Sequence, residues 1–114
     1  MVGGNWKCNG NLAFAKSFPA EVLNNLKFDP KKVDVVVAPT ALHLSTVQAN
    51  VKNNVHVATQ NVSLTGDGAY TGEFSVGMIR DMGVTHTLTG HSERRTLHGE
   101  SDEDVAKKTK DAIE

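Results

Sequence analysis

Four short apolar runs, each followed by a longer segment of helical period, leave this chain few folds to adopt. Val33-Asp34-Val35-Val36-Val37-Ala38 is rich in β-branched residues and almost continuously apolar, as a strand covered on both faces should be. Pro39 ends it, and Thr40 can cap a helix whose Leu44, Val47 and Val51 share one face. Val55 to Gln60 reads as a third strand and Val84 to Thr89 as a fourth, more polar one, because Thr85, His86 and Thr87 interrupt it. Between them Ser75 caps a short helix presenting Val76, Ile79 and Met82, with Gly83 at its C′ position. The first unit is Met1 to Lys7 as strand, then Leu12 to Leu26 as helix, with Phe14, Phe18, Val22 and Leu26 as its buried stripe. Pro19 lies inside that helix and either kinks or divides it. Ser101-Asp102-Glu103-Asp104 forms a capping box that opens a last helix, with Val105, Thr109, Ala112 and Ile113 on one side.

The order βαβαβαβα calls for parallel strands with helices packed outside them. At 114 residues, without a linker, a low-complexity stretch or a close repeat, residues 1–114 make one domain. A four-stranded parallel sheet exposes two edges, and the last helical pattern runs to Glu114 without a stop signal. The element order fits either a small doubly wound domain or half of a sheet that closes.

A net charge of -1 gives no electrostatic reason to expect a nucleic acid or a membrane as partner. No apolar run approaches the ~18 residues of a membrane span. The opening Met1-Val2-Gly3-Gly4-Asn5-Trp6-Lys7 lacks the charged-then-apolar order of a secretory signal. The single cysteine, Cys8, excludes an internal disulfide and points to a reducing, cytoplasmic setting.

Two motifs carry chemistry. Gly3-Gly4-Asn5-Trp6-Lys7-Cys8-Asn9-Gly10 spans a strand end, where βα proteins hold their ligands. An ammonium there suits a phosphate or a developing oxyanion; otherwise Lys7 is a solvated loop lysine and Asn5 a turn former. Gly90-His91-Ser92-Glu93-Arg94-Arg95 also follows a strand directly. His91 can act as acid, base or hydrogen-bond donor to a carbonyl, and a helical turn opening at Ser92 and Glu93 favours its neutral form. In the plainer reading His91 is a loop histidine, and Glu93 pairs with Arg94 or Arg95 at the surface. His86, His91 and His98 do not share a helical face, and no Cys or carboxylate completes a tetrahedral shell around them, so no metal is expected. The loop from Thr65 to Glu73 is longer and richer in glycine than a strand-to-helix connection needs.

Both motifs resemble signatures of the amino-terminal half of triosephosphate isomerases. Gln60-Asn61-Val62-Ser63 and Ala69-Tyr70-Thr71-Gly72-Glu73 are similar to two further family segments, in the same order and at similar spacing. The resemblance implies a (β/α)8 barrel of which this chain covers the first four units. It also implies interconversion of dihydroxyacetone phosphate and glyceraldehyde 3-phosphate, without cofactor or metal. It makes Asn5 and Lys7 substrate-binding groups, Glu93 the partner that orients Lys7, and Gln60, Asn61 and Ser92 supports of the site. His91 becomes the neutral electrophile that shuttles protons between enediolate oxygens, a property for which that family is itself the reference case. It further implies a homodimer in which Tyr70, Thr71 and Glu73 reach a second subunit near Cys8. Arg94 would lie in that interface, while Arg95 and Glu100 make internal ion pairs.

The family's catalytic glutamate, lid loop and later phosphate loops have no counterpart here. Glu100, Glu103 and Glu114 fall in or beside a solvated capping segment. Such a chain is a truncated, split or partial form and is expected to be inactive alone; the alternative is a non-catalytic half-barrel that binds phosphate weakly. The polar fourth strand and Thr89, where an apolar residue is common, depart from the family pattern. Asn5, Lys7 and His91 should converge in one concavity at the carboxyl end of the sheet.

Overall fold

The computed structural model describes residues 1–52 and 54–113; Glu114 lies outside them. Its centre is β2 (Val35–Ala38), buried at all four positions. It pairs in parallel with β1 (Val2–Asn5) on one side and β3 (Val55–Thr59) on the other, and β3 pairs in parallel with β4 (His86–Thr87). The sheet order β1-β2-β3-β4 follows the chain. A doubly wound sheet needs a point at which strand order reverses, and the described strands contain none. Sequential parallel strands with intervening helices are instead the arrangement of half a (β/α)8 barrel.

The pleat sorts side chains onto two faces. Val35, Val37, Val55 and Val57 turn toward the helices and meet Ala15 and Leu23 of the first unit and Leu44 and Val47 of α2 (Ala41–Asn50). Val47 is fully buried there, and burial of such a side chain contributes about 1.5–3 kcal/mol. Val36, Ala38 and Ala58 face the other way and pack with Leu88.

Helix boundaries follow their caps. Asn11 Oδ1 accepts the Phe14 amide at 2.8 Å to open α1 (Leu12–Glu21). Ser75 Oγ accepts the Met78 amide at 3.2 Å to open α3 (Val76–Asp81). Ser101 and Asp104 exchange side-chain-to-amide bonds at 3.1 and 3.2 Å ahead of α5 (Asp102–Ile113). Thr40 stands at the N-cap of α2, but its hydroxyl bonds to His43 Nδ1 at 3.0 Å instead of an amide.

Several expected buried faces move. α1 stops at Glu21, two residues after Pro19, and a 3₁₀ turn at Leu23–Asn25 replaces its expected last stretch. The buried row is Ala15, Pro19 and Leu23, spaced by four, while Phe14, Val22 and Leu26 stay 41, 43 and 38% exposed. Phe14 and Phe18 pack instead on Trp6, with ring centroids 4.9 and 5.7 Å away. Ile113 and Met82 are exposed, and Lys108 takes a buried place on α5. The outer strands are shorter than expected, β1 ending at Asn5 and β4 holding only His86 and Thr87. The hydroxyls of the polar fourth strand find partners: Thr87 with Thr59 at 2.6 Å, Thr85 with His86 at 2.9 Å, and Thr89 with Thr109 of α5 at 3.0 Å. Thr89 is thereby accommodated by a hydroxyl across from it. Among the described residues no helix is long and apolar enough to cross a membrane.

Candidate functional site

Trp6 fixes the end of β1. Its amide donates to the Ala38 carbonyl at 3.0 Å and its ring packs on α1, so the chain leaves the sheet immediately beyond it. Asn5 Oδ1 accepts the Lys7 amide at 2.8 Å and closes a tight turn. Lys7 sits within that turn at φ 57, a left-handed conformation uncommon for a residue with a Cβ. Such outliers persist only where the surroundings over-determine them. Here Gln60 helps: its Nε2 donates to the carbonyls of both Lys7 and Ala38, each at 2.9 Å. One amide beyond β3 thus ties down the ends of β1 and β2.

Beyond β4, Gly90 turns at φ 68, and a Cβ there would lie 2.9 Å from Val105 of α5. His91 is the N-cap of α4 (Ser92–His98), its Nδ1 accepting the Glu93 amide at 3.1 Å. That bond needs a lone pair on Nδ1 and therefore fits the neutral ring with its proton on Nε2. Glu93 Oε1 also lies 3.6 Å from Nδ1, which would suit an imidazolium, but that separation is beyond hydrogen-bond range and the amide contact decides the tautomer. The other carboxylate oxygen, Oε2, lies 3.4 Å from Lys7 Nζ. Both partners are about half exposed, so the pair is worth at most ~1 kcal/mol to stability, and its effect is to aim the ammonium. Ser92 follows as the first residue of α4 and is exposed.

Asn5, Lys7, Cys8, Gln60, Asn61, His91 and Glu93 all line one concavity of about 440 Å³ at the carboxyl end of the sheet. Two concavities of similar size flank the outer strands: one of about 500 Å³ beside β1, lined mainly by apolar side chains, and one of about 480 Å³ beside β4, where apolar side chains mix with Arg80, His86 and four threonines. The polar concavity can seat a small anion between an ammonium and an imidazole that offers its Nε2 hydrogen.

Behind it lies a buried ionic cluster. Lys108 Nζ donates to Asn61 Oδ1 at 2.9 Å and to Glu100 Oε2 at 3.0 Å, and the same Oε2 accepts from Arg94 Nε at 3.1 Å. The side chains of Lys108 and Glu100 are only 4 and 5% exposed, so Glu100 makes the internal ion pairs that the resemblance implied although it stands beside a solvated segment. The polar surroundings of the capping box suggested solvent, but Glu100 precedes that box and turns inward. Glu103 is exposed as expected. Burial alone would raise the Glu100 pKa; the hydrogen bonds and charges of Lys108 and Arg94 outweigh it and hold the carboxyl below its ordinary range. Lys108 was legible in part, since it falls three residues after Val105 and four before Ala112, on the apolar stripe itself.

Cys8 and Arg94 line the concavity too, while the other candidates lie away from it. Arg94 is one-third exposed and drawn into the Glu100 cluster. Arg95 pairs with Asp102, whose side chain is fully at the surface. Cys8, Tyr70, Thr71 and Glu73 are exposed, Tyr70 by 50%. Their loop is held from within: Asp67 Oδ1 accepts from Ser75 Oγ at 2.6 Å and the Phe74 carbonyl accepts the Ser63 amide at 2.8 Å. His91 and His98 line the concavity, whereas His86 lies in the sheet beside His56. Among the described residues no three His, Cys, Asp or Glu side chains converge as a metal shell.

A family model described as triosephosphate isomerase matches residues 1–114. Curated relatives of that description include one from Neurospora crassa, 48% identical over 115 residues, covering all of this chain and 46% of the relative. Another, from Francisella tularensis subsp. holarctica, is 40% identical over 114 residues, covering all of this chain and 45% of the relative. The chain spans about half the length of the curated relatives it matches.

Proposed function

Because this chain belongs to the triosephosphate isomerase family, we propose that its site works within a barrel that interconverts dihydroxyacetone phosphate and glyceraldehyde 3-phosphate, with residues 1–114 as that barrel's amino-terminal half. Lys7 faces the substrate's oxygens and, with Asn5, holds it. His91 donates its Nε2 hydrogen to the carbonyl, polarises it, and passes a proton between the two oxygens of the enediolate. Glu93 aims Lys7, its amide fixes the His91 tautomer, and Ser92 continues the turn that presents both. Gln60 holds the strand ends beneath, and Asn61 joins the site to Lys108 behind it. The base that takes the proton from carbon is a carboxylate of the other half, and neither cofactor nor metal takes part. The observation that carries this reading is the meeting of Lys7, Asn5 and His91, whose Nδ1 accepts the Glu93 amide, in one concavity. The open margins at β1 and β4 support the half-barrel assignment, since further βα units would cover them.

The test is complementation. Residues 1–114 combined with a polypeptide carrying the remaining βα units of a relative should convert dihydroxyacetone phosphate to glyceraldehyde 3-phosphate, undiminished by a chelator. A complex that assembles with closed-barrel circular dichroism yet gives no conversion would leave only a non-catalytic half-barrel.

The completed enzyme acts as a cytoplasmic homodimer. The loop from Thr65 to Glu73 is internally fixed yet presents Tyr70 half exposed, as a surface awaiting a partner does. Cys8, exposed beside the site, lies where a partner's Thr71 and Glu73 would arrive, and Arg94 lies at the rim. Alkylation of Cys8 with a bulky reagent should raise the dimer dissociation constant of the complemented enzyme by at least ~10-fold, read by sedimentation equilibrium. An unchanged constant would place the interface elsewhere.

A further inference from the structure

Among the described residues of α5, Lys108 alone is buried, and the isomerase chemistry proposed above gives it no task. Its ammonium reaches in two directions. On one side it donates to Glu100 Oε2, which Arg94 also holds, and on the other to Asn61 Oδ1 at 2.9 Å. Asn61 stands 47 positions earlier in the chain and belongs to the wall of the polar concavity, which Lys108 itself does not line. The cation therefore touches that wall from behind.

The contact decides how the Asn61 amide is turned. An ammonium only donates, so the carboxamide gives its oxygen to Lys108 and directs its nitrogen away. The backbone on either side is anchored. Gln60 is tied to the Lys7 and Ala38 carbonyls, and Val62 and Ser63 are 1 and 3% exposed. What remains to be set at Asn61 is the side-chain torsion, and the bond to Lys108 sets it. Nδ2 then has no hydrogen-bond partner among the described residues. It is not sealed from water either, since Glu100 Oε1 is the one buried side-chain nitrogen or oxygen without a partner among those residues. An open donor on the wall that also carries Lys7 and His91 suits an anionic acceptor.

We infer that Lys108 is a positioning residue: it holds the Asn61 carboxamide so that Nδ2 serves as a further hydrogen-bond donor to an anionic oxygen seated beside Lys7 and His91. The inference rests on the isomerase reading only for the identity of that anion, because inorganic phosphate would meet the same donors.

The first test titrates inorganic phosphate into the unaltered chain and follows side-chain amide and histidine ring resonances. The Asn61 Nδ2 signals should move saturably together with the His91 ring and the Lys7 amide, while the amides of Asn24 and Asn50, which bond elsewhere, stay in place. In Lys108→Met the Lys7 and His91 responses should remain and that of Asn61 disappear. Lys108→Arg, whose guanidinium also only donates, should restore it. The response of the unaltered chain is read without any variant, so misfolding of Lys108→Met does not remove the test. In the complemented barrel Lys108→Met should raise KM about 10-fold with kcat little changed, the scale of one hydrogen bond to a charged acceptor. A merely structural role would lower the amount of folded enzyme, and with it the apparent kcat, and leave KM alone. Phosphate that moves Lys7 and His91 but not Asn61 would turn the donor into the smaller hollow beside Glu73 that Asn61 also borders. That result, or an unchanged KM, would overturn the inference and leave the isomerase reading standing. Phosphate that moves none of the three would overturn the inference together with the anion seat. A parent barrel without conversion would defeat the isomerase reading alone, and the phosphate response of Asn61 would still decide the inference.

Discussion

In a barrel completed from residues 1–114 and the later βα units of a relative, His91→Gln will lower kcat by ~10²–10⁴-fold and change KM little, the range for loss of a positioned acid–base group. Residues 1–114 assayed alone will give no turnover above the buffer rate. Both results follow from the inventory of groups around the concavity. His91 offers a hydrogen at Nε2 and Lys7 a positive charge, but proton abstraction from carbon needs a free base within hydrogen-bond reach. Among the described residues Glu93 is the one carboxylate lining the concavity, and it is committed to Lys7 at 3.4 Å. Glu100 is buried against Lys108 and Arg94, and Asp67 accepts from Ser75. Nothing described here encloses the substrate, so water exclusion and positioning are missing as well. The measurement is coupled-assay turnover for the lone chain, the complemented barrel and its His91→Gln form. Turnover by the lone chain that disappears in His91→Gln would mean that a base within these residues has been overlooked.

Lys108→Met should destabilise the chain by about 3 kcal/mol at neutral pH, the lower end of what removal of one partner from a buried ion pair costs. The lower end applies because Arg94 still neutralises Glu100 in part. Against the ~6–17 kcal/mol expected for a chain of this length, that is a large share. The pH dependence has a definite sign. Glu100 is held below its ordinary value of 4.5, so its contribution is complete above that value and is lost as the pH falls through the lower folded-state value. Parent and variant should therefore converge in acid, where a protonated Glu100 no longer misses its ammonium. Urea midpoints at neutral and acid pH measure this. Combination with Glu100→Gln should restore part of the loss in a double-mutant cycle. A Lys108→Met deficit below about 1 kcal/mol, or one that grows in acid, would show that the cluster is solvated.

The parallel βα architecture was legible because it rests on local signals: β-branched runs of strand length, caps at Ser75 and Ser101, and Gly83 at a helix end. The catalytic end of the sheet was legible because Lys7 and His91 each follow a strand directly, and parallel strands deliver such residues to one edge. Periodicity failed where partners come from afar. Phe14 fits the expected stripe of α1 as well as Ala15 does, yet Trp6, brought over from β1, claims Phe14 while the sheet takes Ala15. Lys108 stands on the stripe by position, but its charge argues against burial, and only the folded chain reveals that Glu100 and Asn61 meet it. The pairing of His56 with His86 depends on the register of β3 against β4, which no local pattern encodes.

The left-handed backbone at Lys7 sets two selective pressures against each other. Glycine at position 7 would relieve on the order of 1 kcal/mol of steric cost, and it would delete the ammonium that faces the concavity. A population of sequences winnowed for thermal resistance alone would drift toward glycine there, whereas one winnowed for turnover would keep lysine and accept the contortion. Deep mutational scanning under the two regimes would rank the same substitution at opposite ends. Under the role proposed for Lys7, position 7 thus sets reactivity against robustness.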